Sequence, residues 1–225
     1  MNATQEALFL RYCPRIYQDR ADPFPIRYID CTAFTQPARS ASFPKWFVDP
    51  QAEGAAVILE YAIYYDYDIQ HLYDLEHIWV AVDERGQPFN CWCSFHGMRL
   101  RAAGVSAFTM DGDHPILYSQ PGKHAMLPHP ELFLLHPDFH RACACAAGGG
   151  VLVPDFLTDR VKSNPETDGR VARYIREKYS FAPTMEFIPE QIEETQLISW
   201  PALLDKIPTL IRAQLEQIEV KGIAL

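Results

Sequence analysis

The sequence predicts a mainly β protein of the α+β class, a β-sandwich of antiparallel strands with flanking helices and a helical C-terminus. Its 18 prolines and 12% aromatic residues suit short strands and structured loops better than a helical bundle. Six short segments before residue 120 are predicted strands, whereas apolar residues recur at helical spacing near the C-terminus. We expect one domain over residues 1–225, with the sandwich core at about 9–155 and the helical region at about 168–225.

Helices are expected near both ends of the chain. Ala3 to Tyr12 is a predicted short helix, and Asp168 to Tyr179 is predicted as a longer one. In Trp200 to Val220, leucines and isoleucines recur every three to four residues, which is typical of an amphipathic helix. Pro208 inside this segment predicts a kink or a helix in two pieces, because proline lacks the backbone N–H.

Between these helices the sequence alternates short apolar segments with turn residues. The predicted strands are Arg27–Thr35, Ala55–Tyr65, Asp74–Val82, Phe89–His96, Arg99–Phe108 and Pro115–Ser119. A polar loop is expected at Asp66 to Tyr73, and Asp83 to Pro88 has the composition of a hairpin turn. This turn should pair the strand before it with the strand after it.

Charge and hydropathy narrow the classes of function. The net charge of −9 argues against nucleic-acid binding. The chain contains no run of 18 apolar residues, so no membrane span is predicted. The N-terminus lacks the pattern of a secretory signal, so we expect a cytoplasmic protein. Six cysteines are then expected to be reduced. The oligomeric state stays open.

The stretch from Tyr61 to Val82 concentrates acids and histidines inside an apolar segment. In a strand, Asp74 and Glu76 share one face, whereas His77 points to the other and is expected to pack. Two carboxylates on one face with an upstream histidine predict a divalent-metal site. The alternative is a polar loop whose carboxylates lie in solvent.

Four side chains are the candidate metal ligands: Asp68, His71, Asp74 and Glu76. Oxygen ligands with one imidazole favour Mg, Mn or Ca, whereas added imidazoles favour Zn or Fe. His96 lies across the predicted hairpin from Asp74, and His124 follows a glycine after a short strand. Each is a candidate general acid or base, or a further ligand; the alternative for both is a structural role.

The cysteines offer a second candidate metal site. The cysteines form two pairs, and one residue lies between the two cysteines of each pair. Structural zinc sites usually have two to four residues between cysteine ligands. Packing on a strand is therefore the favoured interpretation. The residues concerned are Cys91, Cys93, Cys143 and Cys145, with His136 and His140 nearby.

Three segments in order resemble the core of the necrosis-inducing, Nep-like cytolysins: residues 61–68, 71–80 and 94–97. Residues 12–25 and 115–125 are similar to a related vacuolar-sorting-associated family. Matching the motifs residue by residue places the cytolysins' metal ligands on Asp68, His71, Asp74 and Glu76. The resemblance implies a β-sandwich with a divalent cation at one end, which His96 and His124 approach.

The chain departs from the cytolysin pattern at Tyr73, at Leu75 and in a much shorter loop before His71. With the missing signal, these departures favour an intracellular relative. The first functional hypothesis is a metal-dependent hydrolase that uses a metal-activated water. The second is a protein that binds a sugar or a phosphate headgroup through the metal without turnover, and the third is a purely structural site.

Overall fold

The computed structural model describes residues 3–102, 109–137, 139, 143 and 148–222. The α-helices are α1 (Ala3–Tyr12), α2 (Pro50–Glu53), α3 (Pro165–Tyr179) and α4 (Trp200–Gly222). The strands are β1 (Arg15–Asp19), β2 (Tyr28–Phe34), β3 (Ala38–Arg39), β4 (Phe47–Val48), β5 (Val57–Tyr67), β6 (His71–Val82), β7 (Pro88–Phe95), β8 (Met98–Arg101), β9 (Met110–Asp111), β10 (His114–Ser119), β11 (Met126–Leu127), β12 (Gly150–Val151), β13 (Phe187–Pro189) and β14 (Leu197–Ile198). Short 3₁₀ helices lie at Pro130–Leu135, Asp155–Leu157 and Glu194–Gln196.

Two sheets form the framework, and the predicted α+β class with a helical C-terminus is confirmed. The larger sheet has the order β14-β2-β5-β6-β7-β8, with β12 beside β6. The smaller has the order β11-β10-β1-β13, with β9 beside β10. Most neighbours are antiparallel, but β1 pairs with β10, β12 with β6 and β14 with β2 in parallel. The parallel pairs join segments far apart in sequence, which hairpin turns cannot do.

The longest ladder joins β5 to β6, from Val57 opposite Val82 to Tyr67 opposite Leu72. The predicted loop at Asp66 to Tyr73 is therefore too long, because only residues 68–70 lie between the strands. Cross-strand pairing continues to the end of the hairpin and keeps the flanking polar residues in the ladder. This short connection brings the acidic residues of both strands to one end of the sheet.

Two other expectations change. Helix α4 is continuous through Pro208, so the expected alternative of two pieces is wrong, and the buried side chains of Leu203, Ile207 and Ile211 anchor the segment on both sides of the proline. Strand β8 begins at Met98 and ends at Arg101, so it takes up only the start of the predicted Arg99–Phe108 strand. Residues 103–108 lie outside the described residues.

The main hydrophobic core lies between the two sheets and extends under the C-terminal helices. It combines Ile16 and Leu117 of the smaller sheet with Tyr61 of the larger, and it includes Ile175 and Ile211 of α3 and α4. No helix in the described ranges is both long enough and apolar enough to cross a bilayer.

Gly150 anchors the start of β6. It pairs with His71, and the next residue donates its N–H to Asp168 Oδ1 at 3.0 Å. Gly150 has a φ of +61°, and a Cβ there would lie 2.4 Å from the Cβ of Asp168. A side chain at this position is therefore excluded both by the backbone conformation and by the neighbouring helix.

We expect Gly150→Ala to lower the free energy of unfolding by about 2–4 kcal/mol, through left-handed strain and overpacking. Urea unfolding measures the change. Gly148→Ala is the matched control, because a Cβ there meets no atom within 4 Å. Equal effects of the two substitutions would contradict the role of Gly150.

Candidate functional site

The predicted site lies where the loop between β5 and β6 meets the turn between β10 and β11. Asp68 is 1% exposed and closes the loop, since its Oδ1 accepts the N–H groups of Gln70 at 2.6 Å and His71 at 2.7 Å. On the other side, Gly122 O accepts the Ile69 N–H at 2.6 Å. The loop and the turn are thus held against each other by backbone hydrogen bonds.

Asp68 Oδ2 is the outward oxygen of this carboxylate, and two basic side chains contact it. The Lys123 ammonium group makes a salt bridge to it and also donates to Gln70 Oε1 at 3.1 Å. His71 Nε2 lies 3.3 Å from the same oxygen. The other ring nitrogen, Nδ1, lies 2.8 Å from the Tyr73 carbonyl, so Nδ1 carries a proton.

His124 lies fully buried between two carboxylates. Its Nδ1 donates to Asp74 Oδ2 at 2.9 Å, and its Nε2 lies 3.7 Å from Asp22 Oδ1. Burial works to lower the pKa of His124, but Asp22 and Asp74 outweigh it and raise the pKa to about 10. The ring is stacked on Tyr65 at a centroid distance of 3.8 Å. At neutral pH His124 is therefore an imidazolium ion without a free lone pair.

Asp74 and Glu76 lie on the same side of β6, as predicted, but in different charge states. Burial works to raise the pKa of Asp74, yet the hydrogen bond and charge of His124 outweigh it and lower the pKa. Glu76 has a pKa raised well above its usual range by burial and by the Asp74 charge, despite a hydrogen bond from Ser94. The surroundings thus favour the ionised form of Asp74 and the protonated form of Glu76.

His96 lies at the exposed tip of the hairpin between β7 and β8, with a left-handed φ of +49°. Its ring is 5.5 Å from that of His136. The pKa of His96 is lowered overall. Burial and the Lys123 charge lower it, and a hydrogen bond with Gln120 and the Asp74 charge offset only part of the decrease. His96 therefore approaches the rim of the site, as the hairpin predicted, whereas His124 lies inside it.

The structure gathers the predicted ligands at one end of the sheet but does not arrange them around one ion. No three carboxylate, imidazole or thiol groups of the described residues are placed to hold a metal. Asp68 Oδ2 faces the Lys123 ammonium, and Asp74 Oδ2 faces His124. The residues present therefore do not fit a divalent ion in this arrangement, and metal binding stays a prediction.

A cavity of about 220 Å³ lies beside this cluster. The Phe24 ring joins the two features, because it lines the cavity and meets the His124 ring edge-on at 5.6 Å. Tyr67 and Tyr179 add two further aromatic walls, with ring centroids 5.3 Å apart. The remaining lining residues are Pro23, Pro25, Arg27, Asp66, Gln214 and Gln217.

Asp66 is the polar centre of this cavity. Its Oδ2 accepts from Gln214 Nε2 at 3.1 Å and lies 3.1 Å from Arg27 Nε, while Tyr67 donates its hydroxyl to Gln214 Oε1 at 2.9 Å. Burial raises the pKa of Asp66, and Arg27 and Tyr64 offset only part of the increase. The Tyr64 hydroxyl lies outside normal hydrogen-bond geometry, which leaves the buried Asp66 Oδ1 without a good donor.

A second polar network lies on the opposite face of β6, where His77 packs as predicted. His77 Nε2 donates to Ser42 Oγ at 3.0 Å, and Ser42 in turn donates to Glu60 Oε1 at 2.8 Å. Trp79 Nε1 donates to Glu60 Oε2 at 2.6 Å, and its ring stacks on His77. Burial lowers the pKa of His77 to about 3, so the ring is neutral.

This lowered pKa makes stability depend on pH. The unfolded chain binds a proton at His77 below its ordinary pKa of 6.5, whereas the folded chain binds it only near pH 3. The free energy of unfolding should therefore increase with pH by about 1.4 kcal/mol per unit between roughly pH 4 and 6 through this group.

We expect His77→Phe to reduce that slope by about one proton equivalent, measured by urea unfolding at several pH values. His129→Phe, which removes a histidine outside the network, is the control. An unchanged slope in His77→Phe would contradict the assignment.

The structure adds three side chains to the site that the sequence alone does not single out: Asp22, Asp66 and Lys123. The sequence signal for Lys123 is its charge in a tight turn before a histidine. No sequence pattern places Asp22 near His124, because the two residues lie far apart in the chain and meet only in the fold.

The cysteines that the structure describes are packed in the interior and form no metal-binding cluster with one another. The described ones, Cys13, Cys31, Cys91, Cys93 and Cys143, are all buried free thiols. Burial raises the pKa of each, which makes them poor nucleophiles. His140 and Cys145 of the alternative zinc site lie outside the described residues.

No protein-family model matches the chain, and no curated protein is significantly similar to it. Among solved structures, it resembles Necrosis and Ethylene inducing Protein 2 from the causal agent of cocoa's witches' broom disease. The identity is 18%, the TM-score is 0.37, and the match covers 53% of this chain and 66% of that one.

It also resembles NLPPya in complex with glucosamine, at 16% identity and a TM-score of 0.35, over 54% of this chain and 65% of that one. For NLPPya in complex with mannosamine the values are 17%, 0.34, 54% and 65%. The chain thus spans just under two thirds of each of these proteins. At such scores the likeness does not carry their sites or ligands over to this chain.

Proposed function

We infer that the chain is a binding protein for a small polar ring, most consistent with a single sugar unit, and that the Asp66 cavity receives it. The observation that carries this proposal is the combination of three aromatic rings with one carboxylate, Asp66, and two glutamine amides in a cavity of about 220 Å³. Ligand sites are typically mostly apolar clefts with a few placed polar groups. The volume lies below the roughly 300–1,000 Å³ of drug-sized pockets, which suits one ring.

The polar groups favour hydroxyl or amine donors over phosphate. The Asp66 carboxylate is an acceptor, and the amide groups of Gln214 and Gln217 can both donate and accept. The one nearby cation, Arg27, already contacts Asp66 through Nε. A phosphate would meet the Asp66 carboxylate, and two like charges repel each other at short range. An uncharged sugar or an amino sugar avoids this repulsion.

The hydrolase hypothesis receives less support from the geometry. A general base needs a free lone pair near the substrate, and His124 has both ring nitrogens directed at carboxylates. His77 faces the opposite side of the sheet, inside an apolar cluster. His96 is the predicted catalytic residue that lies at the surface, and it keeps that role only as a hypothesis.

We expect saturation-transfer NMR to detect binding of at least one monosaccharide among glucose, mannose, glucosamine and mannosamine. Glycerol phosphate is tested beside them as the phosphate ligand. Asp66→Asn should weaken binding roughly tenfold, about 1.4 kcal/mol, because it removes the charged acceptor. Gln217→Ala should also weaken it. Glu216→Gln, on the same helix but not lining the cavity, is the matched control.

Three outcomes would contradict the proposal. The first is no binding of any sugar, and the second is glycerol phosphate as the preferred ligand. The third is turnover of ester or phosphoester substrates that is lost in His96→Gln, which would favour the hydrolase hypothesis instead.

A further inference from the structure

Lys123 places a positive charge against the acidic cluster at the end of the main sheet. Its side chain is 12% exposed, and its ammonium group contacts Asp68 Oδ2 and Gln70 Oε1. The charge also stabilises the ionised form of Asp74, which makes no direct contact with it. One cation therefore stabilises the negative charge of Asp68 and Asp74, two of the residues that the sequence predicts as metal ligands.

His71 shares the Asp68 carboxylate with Lys123. Its Nδ1–H is committed to the Tyr73 carbonyl. The other ring nitrogen, Nε2, faces Asp68 Oδ2 at 3.3 Å. A histidine oriented by a carbonyl on one nitrogen is typical of a metal ligand, and here an ammonium group contacts the same oxygen.

The backbone holds Lys123 in this position. Gln120 O accepts the N–H groups of Lys123 at 3.0 Å and of His124 at 2.8 Å, which closes a tight turn. Gly122, with a φ of +70°, donates its N–H to Asp22 Oδ2 at 2.6 Å. A Cβ on Gly122 would lie 3.0 Å from the Cβ of Ile69, so the turn is packed directly on the Asp68 loop.

Each of the three buried carboxylates of the cluster has a basic partner without a further ion. Asp22 and Asp74 share His124, and Lys123 lies on Asp68, the one carboxylate that His124 does not contact. Buried carboxylates without partners are costly, and a metal or an ammonium group can each supply the missing charge. An added divalent ion would have to displace a tethered lysine.

We propose that the Lys123 ammonium group is a built-in cation that takes the place of a divalent metal at the Asp68–His71 site, so that the protein folds without metal. Removing that ammonium group uncovers a divalent-cation site formed by Asp68, His71 and their neighbours on β6. This inference does not depend on the proposed sugar binding, because the two sites have different side chains.

The test compares metal responses of thermal stability and calorimetric binding after treatment with EDTA. We expect Ca²⁺, Mg²⁺ and Mn²⁺ to leave the Tm of the wild type unchanged and to give no binding heat. Lys123→Ala should lower the Tm on the order of 10 °C in EDTA, because Asp68 loses its partner. A divalent ion should then restore much of that loss in a saturable way.

Matched variants make the test specific. Lys123→Gln keeps much of the stem without the charge and replaces Lys123→Ala if the latter does not fold. Lys123→Arg keeps the charge and should stay insensitive to metal. Asp68→Asn added to Lys123→Gln should abolish the acquired response, and Lys162→Gln, a lysine outside the cluster, should behave like the wild type.

Two results would overturn the proposal. One is saturable, EDTA-reversible binding of a divalent ion by the wild type that Asp68→Asn removes, which would restore the metal assignment. The other is a folded Lys123→Gln variant that gains no divalent response, which would mean that the cluster holds no cation site.

Discussion

The turn between β10 and β11 supplies the two positive charges that pair with the buried carboxylates at the end of the main sheet. Lys123 contacts Asp68, while the adjacent His124 contacts Asp74 and Asp22. Neighbouring residues can serve different carboxylates because His124 has a left-handed φ of +54°. Since unpaired buried charge is expensive, the hairpin between β5 and β6 and the smaller sheet depend on each other through this turn.

Backbone strain collects at the same place. Of the four non-glycine residues with positive φ in the described ranges, Tyr73, His96 and His124 lie at or beside the cluster. Tyr73 and the preceding Leu72 both pack in the main core, which a regular strand does not allow for adjacent residues. Strained residues persist where surrounding contacts determine them, and they are common at functional sites.

The cluster and the Asp66 cavity are adjacent but chemically different. In the cluster, ion pairs satisfy the carboxylates of Asp68 and Asp74. In the cavity, the Asp66 carboxylate lies among aromatic rings and glutamine amides that belong to distant segments. Phe24 separates the two, since it meets His124 on one side and Tyr67 and Tyr179 on the other. A paired cluster stabilises the fold, whereas a cavity with aromatic walls and a few polar groups is suited to recognising a ligand.

The sequence by itself determined the local features of this protein. The spacing of apolar residues predicted the helix at Trp200, and alternation along β6 separated Asp74 and Glu76 from His77. These patterns depend only on the period of a helix or strand, which each segment carries in its own residues. The acidic character of the site followed from the same stretch.

Only the tertiary structure decided how the acidic residues are paired. Lys123 is 55 residues from Asp68, and His124 is 50 residues from Asp74, so no local period relates them. Whether a carboxylate meets a metal, an ammonium group or an imidazolium ion depends on which distant turn packs against it. The cavity around Asp66 likewise needs Gln214, 148 residues away, and it exists only after α4 has packed against the sheet.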